Sequence, residues 1–351
     1  MEKNRVIQSF DDDVFKFLDP KANNQLSELK GLDLQDLIVL IDDLYIQYRN
    51  KLGIDENITF GFELEFENAS KDRIENKLIE LFPNREYRTK HDGLLNNGAE
   101  ICTPVLIDRD SDWQNFDKVC KVVNPHASIG TRSGGHIHVG SQILGDDKEA
   151  WLNFIKLWSV YENVIFRFAY GEFLTARPSM MDFAEPMTKD FWRDYNYLKQ
   201  MPLESLNIGN IIYLINHRRY QAVNFANVKT DSVDEIGDKN TIEFRCPNGS
   251  LNPIIWQNNV NLFIKMLLYS KSFTFDNDTV MKRYKIKSDN YSKIALYDEI
   301  FLDQALEFCD MVFNNNLDKV YFLRQYLKSW EINKPKSSRI FPKARELTKK
   351  R

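Results

Sequence analysis

Two glutamates one residue apart, Glu63 and Glu65, lie in the segment FGFELEFE, which spans residues 60–67. In a β-strand successive side chains point to opposite faces, so the two carboxylates would share one face and the apolar side chains the other. Like charges at this spacing resist ionisation unless a cation or a basic side chain lies among them. The spacing therefore predicts a patch that binds something positive.

Three later segments repeat this alternation, each with an apolar residue between two polar ones. They are Glu100-Ile101-Cys102, His136-Ile137-His138 and Glu243-Phe244-Arg245. Together with residues 60–67 they are interpreted as strands of one sheet, whose apolar face packs on a core and whose polar face forms a site.

The acids on these strands, with one or both histidines, are the ligand types that Mg²⁺ or Mn²⁺ sites use. Zinc usually takes tighter His/Cys spacing and fewer carboxylates. An isolated Glu-x-Glu is more often a solvated strand edge, and strand histidines are more often a hydrogen-bonded structural pair. Four strands with the same pattern nevertheless favour a magnesium site.

Two further residues have open alternatives. Arg245 can neutralise Glu243 on the same face or clamp a phosphate through two parallel hydrogen bonds. Asp92 precedes Gly93 and is, on base rates, a turn former.

The sequence has no GxxxxGK[ST] loop, no GxGxxG after a strand and no GxSxG elbow. Any nucleotide would therefore be bound through metals and arginines.

Composition, net charge and cysteine spacing argue against several classes of protein. A hydrophobic fraction of 43% and a net charge of −4 in 351 residues are ordinary for a globular protein and give no basic footprint for nucleic acid. No run approaches the ~18 apolar residues of a membrane span, and no signal peptide is evident. The four cysteines lack zinc or disulfide spacing, so a reduced, cytoplasmic protein is expected.

Hydrophobic periodicity and start and stop signals predict helices around the strands. They are expected at residues 34–53, 70–81, 110–123, 146–170, 189–200, 203–215 and 253–270, and again from 280 to 330. A hairpin around residues 92–98 would carry Glu100 at the start of its second arm. The long helix 146–170 is expected to pack on the apolar face of the sheet. We predict a helical segment over 1–57, a catalytic domain over 58–275, and a helical extension with a basic tail over 276–351.

The motifs FGFELEFE, HDGLLNNGAEICTP, SGGHIHVG, RRYQAVNF and TIEFRCPNGS, in this order, resemble the amidoligase family. This family is a branch of the carboxylate–amine ligases that share the glutamine synthetase and glutamate–cysteine ligase fold. The resemblance covers roughly residues 60–251. It implies an α+β fold with a curved, mainly antiparallel sheet, whose concave face holds two or three divalent metals, Mg²⁺ or alternatively Mn²⁺, that bridge the phosphates of ATP. The helices would pack on the other face.

The resemblance also implies roles for individual residues. The implied metal ligands are Glu63, Glu65, Asp92, Glu100, His136 or His138, and Glu243. The implied catalytic residues are Arg245, Glu65 and Asp92. The implied nucleotide or substrate contacts are Arg177, Arg219, Asn224 and Arg245. One departure is visible, since the family often has a serine two residues after the hairpin aspartate and this chain has Leu94.

The first functional hypothesis is an ATP- and Mg²⁺-dependent ligase that joins a carboxylate, for example a glutamyl group, to an amine through an acyl phosphate. The alternatives are a metal-dependent hydrolase that uses the same face to activate water, and a non-catalytic binding module that uses its flanking helices for partners. ATP consumption separates the first two. Substrate specificity is expected in the loops 171–187 and 233–240. The terminal helices can form a dimer surface or complete the protein's own core.

Overall fold

A computed structural model of the chain describes residues 48–84, 86–173, 177–188, 191, 195, 197–215, 219–229, 239–288 and 301–327, together with residues 23 and 25. Several predicted features lie wholly or mostly outside these residues. They are the N-terminal segment 1–57, its helix 34–53, part of the helix 189–200, the loop 233–240 and the basic tail from Lys334.

Within the described residues, the strands are β1 (Phe60–Phe66), β2 (Arg88–Lys90), β3 (Ala99–Cys102), β4 (Gly135–Gly140), β5 (Val223–Asn224) and β6 (Thr241–Phe244). They form one sheet in the order β2-β3-β1-β4-β6-β5, and each neighbouring pair is antiparallel. The predicted antiparallel sheet is confirmed, and it contains the four segments predicted to be its strands.

The helices are α1 (Lys71–Leu81), α2 (Asp110–Val123), α3 (Lys148–Ala169), α4 (Met180–Phe183), α5 (Ile208–Ile215), α6 (Pro253–Ser270), α7 (Asn277–Ser288), α8 (Leu302–Val312) and α9 (Asn316–Leu327). Short 3₁₀ turns cover Ser141–Ile143 and Leu203–Ser205. Helices α1, α2, α3 and α6 lie where the periodicity predicts them. Ser70 and Asn252 cap α1 and α6, since each side chain accepts a hydrogen bond from a backbone N–H of the first turn.

The apolar face of the sheet is covered by three of these helices. Phe62 on β1 packs against Phe116 of α2 and Trp256 of α6, with ring centroids 4.6 and 5.0 Å apart. Phe244 on β6 stacks on Phe263 of α6 at 4.1 Å and lies 5.7 Å from Trp158 of α3. Burying a phenylalanine stabilises a fold by roughly 1.5–3 kcal/mol. The sheet is therefore anchored through its apolar face, which leaves the polar face available for a site.

Two predicted helix boundaries are wrong. The helix expected over residues 203–215 begins only at Ile208, because the side chain of Asn207 accepts a hydrogen bond from the backbone N–H of Asn210 at 2.7 Å and caps the helix there. The described end of the helix expected over 34–53 is not helical. There Leu52 and Ile54 donate their backbone N–H groups to the buried carboxylate of Asp108, at 2.8 and 2.9 Å, which holds the chain in a non-helical conformation.

A buried carboxylate joins α3 to the segment beside the polar face. Glu162 is fully buried and accepts hydrogen bonds from the Trp158 indole at 2.9 Å and from the backbone N–H groups of Met187 and Thr188 at 2.7 and 3.1 Å. The Thr188 hydroxyl donates to it as well. Residues 183–188 are thereby held against the helix layer, next to the wall of the site.

Replacing Glu162 by Gln is expected to lower the free energy of unfolding by about 2–3 kcal/mol, because the neutral amide accepts more weakly and adds two buried donors. Urea unfolding followed by circular dichroism measures this change. Glu149→Gln, at an exposed position in the first turn of the same helix, is the matched control. Equal stabilities of the two variants would show that the Glu162 contacts do not stabilise the fold.

Helices α7, α8 and α9 add to the same core. Tyr161 of α3 packs on Phe308 of α8, and Phe168 of α3 stacks on Phe322 of α9 at 5.0 Å. The domain boundaries at residues 58 and 276 stay predictions. None of the helices in the described part of the chain has both the length and the apolar character needed to cross a membrane.

Candidate functional site

The register of the sheet brings the predicted ligand residues into one row. Glu65 on β1 pairs with Glu100 on β3, and Glu63 lies between Cys102 on β3 and His136 on β4. His138 pairs with Glu243 on β6, which in turn pairs with Asn224 on β5. Because side chains alternate faces, all of these residues project from the same side of the sheet.

Three carboxylates and two imidazoles of this row lie within 3.6 Å of one another in pairs. His136 lies among three carboxylates, with its Nδ1 3.2 Å from Glu63 Oε2 and 3.6 Å from Glu243 Oε1, and its Nε2 3.5 Å from Glu65 Oε1. His138 Nε2 lies 3.2 Å from Glu63 Oε1. The geometry between these two atoms is not that of a hydrogen bond, and the buried His138 Nε2 has no hydrogen-bond partner.

The site favours ionised carboxylates. Burial on its own raises the pKa of Glu63, but a hydrogen bond from His136 and positive charge from His136 and His138 outweigh burial and hold that pKa well below its usual range. For Glu243 burial again acts upward, and the charges of His136 and Arg245 lower the pKa overall. Both groups are therefore anionic at neutral pH, as metal ligands must be.

Among the residues that the structure describes, three overlapping groups of side chains place potential ligand atoms within 4.8 Å of one another. They are Glu63, His138 and Glu243; Glu65, Asp92 and Glu100; and Glu63, Glu100 and Cys102. All the predicted metal ligands except His136 occur in these groups. Oxygen-rich sets with one imidazole suit Mg²⁺ or Mn²⁺, and the buried His138 Nε2 without a partner is an atom that such an ion would satisfy. The residues present fit a divalent cation.

Asp92 makes the contact expected of a turn former, and its role as a metal ligand stays a prediction. Its Oδ1 accepts a hydrogen bond from the backbone N–H of Leu94 at 2.8 Å, which is the contact of a turn former. Its carboxylate also reaches the group of Glu65 and Glu100 from the loop between β2 and β3. Leu94, at the position where the family often has serine, is half exposed in the pocket.

Arg245 is held in place by its neighbours. Its Nη1 donates to Glu243 Oε1 at 2.5 Å and its Nε donates to the carbonyl oxygen of Phe183 at 3.0 Å. Asn224 Nδ2 donates to the other oxygen of Glu243 at 2.7 Å. Arg245 therefore neutralises Glu243 in this structure, and its guanidinium also lines the pocket above the carboxylates.

The two other predicted arginines, Arg177 and Arg219, have different surroundings. Arg177 is buried, and its guanidinium donates to the carbonyl oxygens of Pro247 and Arg245 at 2.5 and 2.9 Å. Through these bonds Arg177 positions the backbone directly after β6, where Arg245 lies. Arg219 is exposed at the pocket wall. A contact of either arginine with a nucleotide or a substrate stays a prediction.

A cleft of about 1120 Å³ covers the row of carboxylates. Six carboxylates, six lysines and arginines, and three histidines line it, and the aromatic ring of Tyr220 is half exposed at its wall. Sequence analysis missed several of these residues, including Lys90, Arg132 and Lys239. Lys90 Nζ lies 2.9 Å from Glu100 Oε1, and Lys239 Nζ lies 3.4 Å from Glu63 Oε1. Neither lysine occupies a motif, so only the fold reveals that they meet the acids.

Comparison with known proteins gives a family match. The family model described as "Putative amidoligase enzyme" matches residues 80–267, which is more than half of the chain. The match contains the five strands β2 to β6, whereas β1 with Glu63 and Glu65 precedes it.

The other two comparisons add little. None of the curated proteins matches. A crystal structure described as that of a novel glutamine synthase homolog is 11% identical in sequence, and the alignment covers 76% of this chain and 70% of that chain with a TM-score of 0.30. This similarity is too low to assign the fold, so the glutamine synthetase-like fold and the curvature of the sheet stay predictions.

Proposed function

The chain belongs to the amidoligase family, and from this premise we propose that it is an ATP- and Mg²⁺-dependent ligase that joins a carboxylate to an amine. The observation that carries the proposal is the set of three overlapping ligand groups on one face of the sheet, at the floor of a cleft of about 1120 Å³. A cleft of this size accepts a nucleotide together with a second substrate.

We propose that Glu63, Glu65, Asp92, Glu100, His138 and Glu243 hold two or three divalent ions. Bound Mg²⁺ would neutralise charge on the phosphate oxygens and orient the γ-phosphoryl group. Because the acidic and basic residues lining the cleft are equal in number, these ions would leave the cleft positive. A positively charged cleft suits the negatively charged phosphate chain of ATP.

Arg245 is the proposed contact with the transferred phosphoryl group. Its fixed position next to Glu243 means that little reorganisation is needed when charge develops on the phosphate oxygens. Tyr220, whose ring lies 5.9 Å from the Arg245 guanidinium carbon, adds an aromatic surface to the same wall. No phosphate-binding glycine motif is present in the sequence, so arginine and metal ions take over its role.

The proposed reaction has two steps. An oxygen of the substrate carboxylate attacks the γ-phosphorus of ATP, the bond to the bridging oxygen breaks, and ADP leaves. The amine nitrogen then attacks the carbonyl carbon of the acyl phosphate, the bond from carbon to the phosphate oxygen breaks, and inorganic phosphate leaves. The nitrogen loses a proton to a base, and the products are an amide, ADP and phosphate.

The substrates are proposed to be amino acids or peptide-like molecules, with a glutamyl carboxylate as one candidate. The test is release of ADP and phosphate from Mg·ATP by the full chain, supplied with pooled amino acids and short peptides. The proposal predicts ADP release that depends on the pool, together with a product whose mass equals two components minus water. Products formed by addition of water without ATP would favour the hydrolase, and metal binding without turnover would favour the binding module.

A further inference from the structure

A second, smaller cavity meets the row of carboxylates. It has a volume of about 290 Å³ and lies along the first residues of β1 and the chain that follows β3. It shares Glu63, His138 and Lys239 with the main cleft. The candidate reaction centre is therefore bordered by two cavities.

Part of the space in the smaller cavity exists because residue 61, which lines it, is a glycine. Gly61 pairs with His138 and lies two residues before Glu63, on the same face of the strand. A Cβ atom at this position would lie 3.4 Å from Thr103 Oγ1 and 3.6 Å from the carbonyl oxygen of Pro104, which are ordinary contacts. A small side chain would thus fit there, and it would extend into the cavity.

One of the residues that line the cavity, Lys239, already carries a primary ammonium group. Lys239 Nζ lies 3.4 Å from Glu63 Oε1, and the Lys239 side chain is 52% exposed. A half-exposed lysine is displaced at little cost, since a surface ion pair contributes only about 0–1 kcal/mol. The position at Glu63 is therefore suited to the ammonium or amino group of another molecule.

The wall of the cavity formed by residues 103–105 is less polar. Val105 is 76% exposed, and Pro104 and Thr103 line the same wall. The volume corresponds to that of about ten water molecules. This suits a small alkyl chain and excludes a nucleotide.

We infer that this cavity, bounded by Gly61, Glu63 and Val105, binds the amine substrate as a small primary alkylamine. The inference rests on the proposed function, because it assigns the second substrate of the ligase. ATP and the carboxylate would occupy the main cleft, and the amine nitrogen would reach the acyl carbonyl from the Glu63 side.

Cys102 provides a test that does not depend on turnover. Its thiol lines the cavity and is half-buried, whereas Cys120, Cys246 and Cys309 are buried. Burial raises the pKa of the Cys102 thiol to about 12, so its modification by methyl methanethiosulfonate is followed at about pH 9. In the full chain with Mg²⁺, n-butylamine is expected to slow this modification about tenfold at saturation, because the bound amine covers the thiol. Tetramethylammonium is the control cation without an N–H group, and it should not protect. Absence of protection by n-butylamine would overturn the inference.

Two variants sharpen the test. Gly61→Val is expected to raise the half-protecting concentration of n-butylamine about tenfold or more, because the new side chain occupies the cavity. Lys239→Met removes the competing ammonium group and is expected to lower that concentration. Circular dichroism confirms that each variant is folded. Unchanged protection in Gly61→Val, or weaker protection in Lys239→Met, would contradict the inference. The ligase proposal fails separately, through absence of ADP formation.

Discussion

Replacing Glu63 by Gln is expected to lower kcat/KM for ATP-dependent condensation by about 1000-fold, equal to about 4 kcal/mol of transition-state stabilisation. Glu63 takes part in two of the three ligand groups, and its two oxygens lie 3.2 Å from His136 Nδ1 and His138 Nε2. A neutral amide removes one negative charge from each of these two groups. The rate is measured as ADP release with the substrates found in the pooled assay.

The loss should be accompanied by weaker metal binding. Titration calorimetry with Mn²⁺ is expected to show a lower affinity or fewer bound ions in Glu63→Gln. Glu56→Gln is the matched control, since Glu56 is an exposed surface residue paired with Lys51 at 3.1 Å. Wild-type activity and metal binding in Glu63→Gln would show that the row of carboxylates is not the metal site.

Replacing Arg245 by Lys is expected to lower kcat by about 100- to 1000-fold with a much smaller change in KM for ATP. Lysine keeps the charge but lacks the planar fork that holds Glu243 and Phe183 and, in the proposed mechanism, meets the transferred phosphoryl group. The loss should therefore appear in the chemical step rather than in nucleotide binding. Steady-state kinetics with varied ATP separates the two effects.

Arg283→Lys provides the control for this substitution. Arg283 pairs with Glu307 at 2.8 Å on the helical side of the molecule and does not line the cleft. It should leave kcat unchanged. An Arg245→Lys variant with normal kcat would mean that the guanidinium serves only to neutralise Glu243.

The polar face could be predicted from sequence because a strand has a period of two residues. Glu63 and Glu65 share a face whatever the neighbouring strands are, and the same holds for His136 and His138. Which residues of different strands meet was not predictable, since register depends on turns and on core packing. The pairing of Glu65 with Glu100, for example, follows from the antiparallel register of β1 and β3.

Features formed by residues far apart in the chain were missed. Lys239 reaches Glu63 across 176 positions, and Gly61 creates a cavity only because residues 102–105 pass beside it. The start of α5 was also misplaced, because the apolar period continues through residues 203–207 while the Asn207 cap fixes the first turn later. The strand β5 spans only two residues, which is too short to show a period.

The most direct test of the proposed mechanism follows the fate of the carboxylate oxygen. With the carboxylate substrate from the pooled assay labelled with ¹⁸O, the ligase mechanism predicts that one labelled oxygen appears in inorganic phosphate for each amide formed. This transfer occurs because the attacking carboxylate oxygen remains bound to phosphorus when the amine displaces phosphate. Unlabelled phosphate, or label found in AMP instead, would contradict activation of the carboxylate by phosphoryl transfer.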